Sequence, residues 1–268
     1  MTSSTDLAGV SYWDKVWAEN PPLSPINPAQ PGFRNFANRK IHQRFQTAFS
    51  VLETTRAPLL EVGCANSRWL PYFAEQFGFQ VEGLDYSAKG CKASEEILEQ
   101  AGIEPVVYCQ DLFEPGPELL GRYMAVVSRG VIEHFEDPAS VVTAKANLLA
   151  PGGIVVSQIP NIRGLNGSLV KTINRPIYDI HIPMSLDALV QAHLDSGLEV
   201  LQAGHFMRAN FGIANLNGIE PGPKRKILSV IRKALVVFSY GLHAIDEVMG
   251  PKTSEFLSPT IFVVARKN

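Results

Sequence analysis

Three carboxylates each close an apolar run: Glu61 in PLLEVG, Asp85 in QVEGLDY and Asp111 in VVYCQDL. A fourth run, MAVVSRGVI, leads straight into Glu133 and His134. Acids at strand ends accept hydrogen bonds from hydroxyl and amino groups, so they suit a polyhydroxylated or nucleoside ligand. Asp85 lies 22 residues past Gly63, the spacing at which an acid accepts both ribose hydroxyls in nucleoside-binding sheets. Its other possible role is to stabilise the dipole of the helix beginning at SAKG; for Asp111 the other role is a local turn. His134, with an ordinary pKa near neutrality, is either a base for an incoming hydroxyl, thiol or amine, or a packing residue that shapes the wall. The loop in LLEVGCANSRWLPYFA keeps one glycine, Gly63, and places Ala65, Ser67 and Arg68 after it. A pyrophosphate needs backbone N–H groups pressed against it at glycine positions, so this loop argues against a nicotinamide or flavin dinucleotide.

Such side chains must be held by a sheet. From residue 58 to 160 strand-like runs (APLLEV, FQVEGLDY, EPVVYCQDLF, YMAVVSRGVI, GIVVSQIP) alternate with helical segments; SAKGCKASEEILEQAG stops at Gly102, and another helix runs from EDPAS to LLAPGG. This alternation predicts a parallel sheet covered by helices on both faces, with the loops after the strands sharing one crevice. SLDALVQAHLDSG reads as a capped helix ending at Gly197, and LEVLQAGHF and PTIFVVARK as the last strands.

The order of these pieces resembles the class I S-adenosylmethionine-dependent methyltransferases of small-molecule type, closely over residues 57–160 and more loosely over 181–267. The resemblance implies an α/β fold with a Rossmann-like, seven-stranded, mostly parallel sheet, and S-adenosylmethionine as cofactor. It places Glu61, Gly63 and Cys64 at the methionine part, with Ala65 and Ser67 in place of two customary glycines. It gives Asp85 the ribose, Asp111 the adenine amino group and Leu112 the amide that meets the ring; Tyr86, beside Asp85, is available to pack on the adenine. Ser128, Arg129 and Gly130 would border the sulfonium, with Glu133 and His134 beginning the catalytic wall. Tyr178, Asp179 and His181 are pocket candidates, and His134, Tyr178 and His181 are the candidate catalytic residues. Tyr12 and Trp13, with Trp17, either cap cofactor and substrate, with cation–π attraction to the sulfonium, or staple the N-terminal segment to the core.

The reaction implied is in-line transfer of a methyl group to a small-molecule acceptor. Two alternatives stay open: cyclisation of S-adenosylmethionine to azetidine-2-carboxylate and methylthioadenosine, and non-catalytic binding. With a net charge of −2, the chain offers nucleic acid no general attraction. Three cysteines without CxxC spacing and no continuous apolar leader in the first residues point to a cytoplasmic protein. Six histidines without an HExxH pair give no expectation of a metal site. The reading divides the chain into an N-terminal cap, 1–56, and a cofactor-binding domain, 57–268, with insertions near 161–180 and 207–256. His193 is expected on the surface or in the core. The apolar stretch 227–245 is interrupted by Arg232 and Lys233, so stable membrane insertion is not expected; a lid over the site is favoured over a membrane-surface or dimer contact. Oligomeric state is open.

Overall fold

The computed structural model describes residues 4–213, 216, 219–250 and 252–268. Among these, the elements in chain order are α1 (Val10–Glu19), α2 (Phe36–Phe49), β1 (Pro58–Val62), α3 (Trp69–Phe77), β2 (Gln80–Asp85), α4 (Ala88–Gln100), β3 (Val107–Cys109), β4 (Tyr123–Arg129), α5 (Pro138–Leu148), β5 (Leu149–Pro160), α6 (Leu165–Ile173), α7 (Arg175–Asp179), α8 (Leu186–Asp195), β6 (Glu199–Phe206), α9 (Pro223–Met249) and β7 (Thr260–Arg266). The strands form one sheet in the order β3-β2-β1-β4-β5-β7-β6, parallel except that β7 runs antiparallel to both its neighbours. This is the Rossmann-like α/β architecture expected.

The central strands read as continuous apolar runs because both faces are covered. Side chains alternate with a period of two, so Leu60, Val126 and Val155 enter a core with Val141, Leu148 and Leu189 of α5 and α8. Leu59, Val127 and Val156 enter the opposite core with Phe45, Phe49 and Phe73 of α2 and α3. Local signals bound the helices. The Ser87 hydroxyl caps α4 through Gly90 N–H, Asp137 caps α5 ahead of Pro138, and Gly78 closes α3 in the left-handed region at φ 75°.

Two expectations about the flanks change. Of the N-terminal segment, α1 lies on the surface as a cap, with no buried residue. Helix α2 belongs to the domain core, where Phe36, Ile41, Phe45, Ala48 and Phe49 are buried. The stretch 227–245 is helical within α9, but no described α9 residue lines either of the cavities below, so it is not a lid over them. Its polar inner face holds it to the domain: Arg208 Nε pairs with Asp246 at 2.6 Å, Phe211 N–H donates to Ser239 Oγ at 3.0 Å, and His243 Nε2 meets the Ala209 carbonyl at 3.0 Å.

Candidate functional site

A cavity of about 760 Å³ opens beyond the carboxyl ends of β1, β2 and β4. Of the residues singled out in the sequence, Glu61, Gly63, Asp85, Tyr86, Asp111, Leu112, Arg129, His134 and Trp13 line it. Glu61 closes β1 and is buried; Ser67 Oγ donates to its Oε2. The same hydroxyl accepts the Trp69 and Leu70 N–H groups of the first turn of α3, at 3.0 and 3.2 Å. Ser67 thus does more than replace a glycine: it ties the acid to the helix start.

Burial raises the Glu61 pKa to about 7, against the opposing pull of the Ser67 bond and the Arg129 charge. Ionising a group whose folded-state pKa is raised costs stability. Between the unfolded value near 4.5 and about 7, the folded state holds the extra proton, so stability falls as pH rises through that window. Comparing wild type with Glu61→Gln by urea unfolding at pH 5 and pH 7.5, we expect the variant to gain on wild type by up to roughly 3 kcal/mol at the higher pH. A difference that stays flat or shrinks with pH would show that Glu61 is not a strained acid.

Asp85 closes β2. Its Oδ2 accepts Ala65 N–H at 3.0 Å and its Oδ1 accepts Ser87 N–H at 2.8 Å. Each oxygen keeps a second lone pair for a ribose hydroxyl. Burial raises its pKa to about 6. Asp111 is held in a turn by Phe113 N–H at 2.9 Å, beside the buried Leu112. Arg129 lies flat on Trp69, its guanidinium carbon 3.7 Å from the ring centroid, and donates from Nε to Gln158 Oε1 at 3.3 Å. Burial lowers its pKa to about 10, with Glu61 opposing the shift, so it stays cationic at neutral pH.

The N-terminal residues cross the mouth of this cavity. Leu7 N–H donates to the His134 carbonyl at 2.8 Å, Asp6 pairs with Phe135 in an antiparallel bridge, and Tyr86 Oη donates to Asp6. Asp14 of α1 accepts from Ser87 Oγ at 2.7 Å. These acids fix the cap, a role the sequence reading did not assign. The cap brings Trp13 edge-on to His134, with 5.0 Å between centroids, and in a stack with Trp17. Trp13, Trp17 and Leu23 also line a second, smaller cavity of about 260 Å³ with Tyr12, Ile177, Ile180 and His181.

Three expected site residues, Cys64, Tyr178 and Asp179, lie elsewhere. The Cys64 side chain is buried under the loop, so that a Cβ on Gly83 would stand 2.6 Å from its Sγ, and it does not line the cavity. Tyr178 packs on the cluster of Val170, Ile173 and Ile177, flanked by Lys171 and Arg175, and lines neither cavity. Asp179 is paired with Arg175 at 2.6 Å on the surface. His193 is fully buried, with Nε2 2.8 Å from Ser157 Oγ. That hydroxyl and Ser128 Oγ accept from Lys145 Nζ, a buried ammonium whose pKa burial lowers to about 7. The sequence reading missed Lys145. Its signal was present: Val141, Lys145 and Leu148 fall on one helical face, so the lysine occupies a core position.

A model of the methyltransferase domain matches residues 33–203, more than half of the chain. The chain belongs to this family of S-adenosylmethionine-dependent methyltransferases. Among curated proteins it is similar to ubiquinone biosynthesis O-methyltransferases: 32% identical to that of Serratia proteamaculans over 55% of this chain and 56% of the relative, and 26% identical to that of Chromobacterium violaceum over 82% and 85%. The chain thus spans little more than half the length of the first of these relatives. Among solved structures it shares the fold of the [4+2]-cyclase SpnF (TM-score 0.64, 16% identity, 100% and 97% of the two chains). It also shares that of geranyl diphosphate C-methyltransferase from Streptomyces coelicolor, solved with S-adenosyl-L-homocysteine (TM-score 0.59, 14% identity, 95% and 96%).

Proposed function

We propose that the chain transfers the methyl group of S-adenosylmethionine to a hydroxyl oxygen of a small organic acceptor. The observation that carries this reading is that two cavities adjoin along a shared edge of Trp13, Trp17 and Leu23. The larger has acids at three strand ends, and the smaller is lined by Tyr12, Ile177 and His181. Asp85 would take the ribose, Asp111 and Leu112 the adenine edge, and Arg129 and the Gly63 loop the methionine part. Trp13 and Trp17, which line both cavities, would flank the sulfonium and the acceptor where the two spaces adjoin. The names of the curated relatives support oxygen as the acceptor atom.

The sulfonium is already an activated leaving group, so the chain's main contribution is to hold the two reactants in line and exclude water. Burial and His181 lower the His134 pKa to about 4. At neutral pH its ring is therefore uncharged but a weak base, better suited to orienting the acceptor than to taking its proton unaided. A separate second cavity supports an external acceptor over ring closure of the cofactor.

Product analysis tests this reading. The protein is incubated with S-adenosylmethionine alone and then with a panel of phenolic and aliphatic alcohols, and nucleoside products are followed by mass spectrometry. S-adenosylhomocysteine that forms only with an acceptor is the expected result. Methylthioadenosine without an acceptor would establish cyclisation instead, and no turnover across the panel would favour a binding protein. Trp13→Ala provides a finer check, because cation–π attraction of ~0.5–2 kcal/mol acts on the sulfonium but not on the neutral thioether. Affinity for S-adenosylmethionine should fall about 2- to 30-fold, and that for S-adenosylhomocysteine less; equal losses would remove Trp13 from the sulfonium.

A further inference from the structure

Glu133, His134 and His181 turn one ligand-capable atom each toward a common point, all within 4.8 Å of one another. The histidines are locked in one orientation. His134 Nδ1 lies 2.7 Å from the Ile180 carbonyl and His181 Nδ1 lies 2.6 Å from the Ile177 carbonyl. A carbonyl only accepts, so each Nδ1 carries the hydrogen and each Nε2 presents a lone pair. Glu133 Oε1 stands 3.9 Å from His134 Nε2, beyond hydrogen-bond distance, and its buried Oε2 has no hydrogen-bond partner among the described residues. Lys145 donates to Ser128 and Ser157 and makes no hydrogen bond to Glu133 Oε2. Three ligand-capable atoms thus converge in a buried place where Glu133 Oε2 lacks a partner among the described residues, and a cation joining them would satisfy all three.

We infer that Glu133, His134 and His181 form a binding site for a divalent first-row transition ion of the zinc or manganese class, at the boundary between the cofactor cavity and the smaller cavity. The donor set of two imidazoles and one carboxylate suits such ions, and the backbone carbonyls behind Nδ1 are the outer partners that metal-bound histidines use to fix ring orientation. Metal–ligand bonds of about 2.0–2.2 Å require the donors to draw together by about 1 Å, a movement within reach of side-chain rotation. His134 lines one cavity and His181 the other, so the remaining coordination positions would face the acceptor. An acceptor hydroxyl bound there would lose its proton more readily. That last role rests on the methyl-transfer reading; the ion site does not.

Sequence spacing hid the site because Glu133 and His134 are adjacent, whereas His181 follows 47 residues later. The two segments meet through Ile182 N–H, which donates to the Glu133 carbonyl at 2.7 Å. The test is calorimetric titration of chelator-stripped protein with Zn²⁺ and Mn²⁺, together with the visible spectrum of the Co²⁺ form. Wild type should bind one equivalent of at least one ion, with a rise in melting temperature. His181→Ala and Glu133→Gln should each bind at least 10-fold more weakly while remaining folded and still binding S-adenosylhomocysteine. No binding by wild type at millimolar ion, or equal binding by both variants, would overturn the site. Retained nucleoside binding in the variants separates that failure from failure of the cofactor reading.

An independent observation concerns α9. Ile227, Val230, Ile231, Ala234, Val237, Phe238, Gly241, Ile245, Val248 and Met249 share an arc of about 120° on this helix, and its large members are exposed, Val237 at 66% and Val248 at 87%. An apolar stripe of that length marks an interaction surface. Lys226 and Lys233 border one side of it, with Lys224 and Arg225 at its start. The two acids of α9, Asp246 and Glu247, are already paired with Arg208 and Arg39, so a second copy of the helix has no free carboxylate to offer these cations. The geometry points to an anionic lipid surface as the occupant, with α9 lying in its plane. In sedimentation with vesicles, we expect binding to phosphatidylcholine vesicles containing phosphatidylglycerol, weaker binding at high salt, and loss of binding in Val237→Glu/Phe238→Glu. Absence from anionic vesicles, or a wild-type dimer that this double variant dissociates, would overturn the assignment.

Discussion

Asp85→Asn is expected to weaken S-adenosylhomocysteine binding by about 100-fold in a calorimetric titration, with the fold retained. The carboxylate has two tasks that an amide cannot perform together. It accepts Ala65 N–H and Ser87 N–H, one on each oxygen, and so holds the loop after β1 against the start of α4. It also keeps the lone pairs that two ribose hydroxyls would use. Hydrogen bonds to a charged group contribute about 1.5–3 kcal/mol each. An asparagine amide must turn its NH₂ toward one of the two backbone N–H groups, which breaks that anchor and removes an acceptor. A loss below about threefold would mean that Asp85 serves only the loop.

Gly63→Val should abolish detectable binding, for a reason that differs from the one the sequence suggests. From the sequence alone, a branched side chain at Gly63 would fill the cofactor's place. In the structure, a Cβ at this position would stand 2.4 Å from Val131 Cγ2, and the residue has φ 73°, in the left-handed region that favours glycine. The change therefore strains the loop and pushes apart the adjoining β1 and β4 loops, which both line the cavity. Gly63→Ala paired with Val131→Ala relieves the contact but not the backbone strain, so it should recover part of the affinity lost in Gly63→Ala alone. Circular dichroism and thermal melting separate a lost site from a lost fold. Full affinity in a folded Gly63→Val protein would contradict the placement of the site.

The parallel half of the sheet was legible because buried strands and amphipathic helices leave different periods in the chain. Leu59 to Val62 and Ala125 to Val127, short runs between turn residues, fit strands covered on both faces, and the structure buries them so. The acids at strand ends were legible for the same reason, since topology brings strand ends together even when 22 or more residues separate them. Orientation was not. Cys64 adjoins Gly63 in the loop yet points into the core, and Tyr178 is three residues from His181 yet faces the α6–α7 cluster. Neither distinction leaves a periodic trace in a loop. The His134–His181 approach, with ring centroids 4.4 Å apart, depends on how the segment after β5 folds back. Nor could the pattern of α9 separate a lid from a surface stripe, because both need one apolar face.

S-adenosylmethionine is expected in the cavity beyond β1, β2 and β4. A crystal structure of the protein with S-adenosylhomocysteine tests this placement most directly. We expect the ribose hydroxyls on Asp85, the adenine between Tyr86 and Leu112 with its amino group toward Asp111, and the thioether facing Trp13 and His134. A nucleoside bound in another place, or bound here with its ribose away from Asp85, would contradict it.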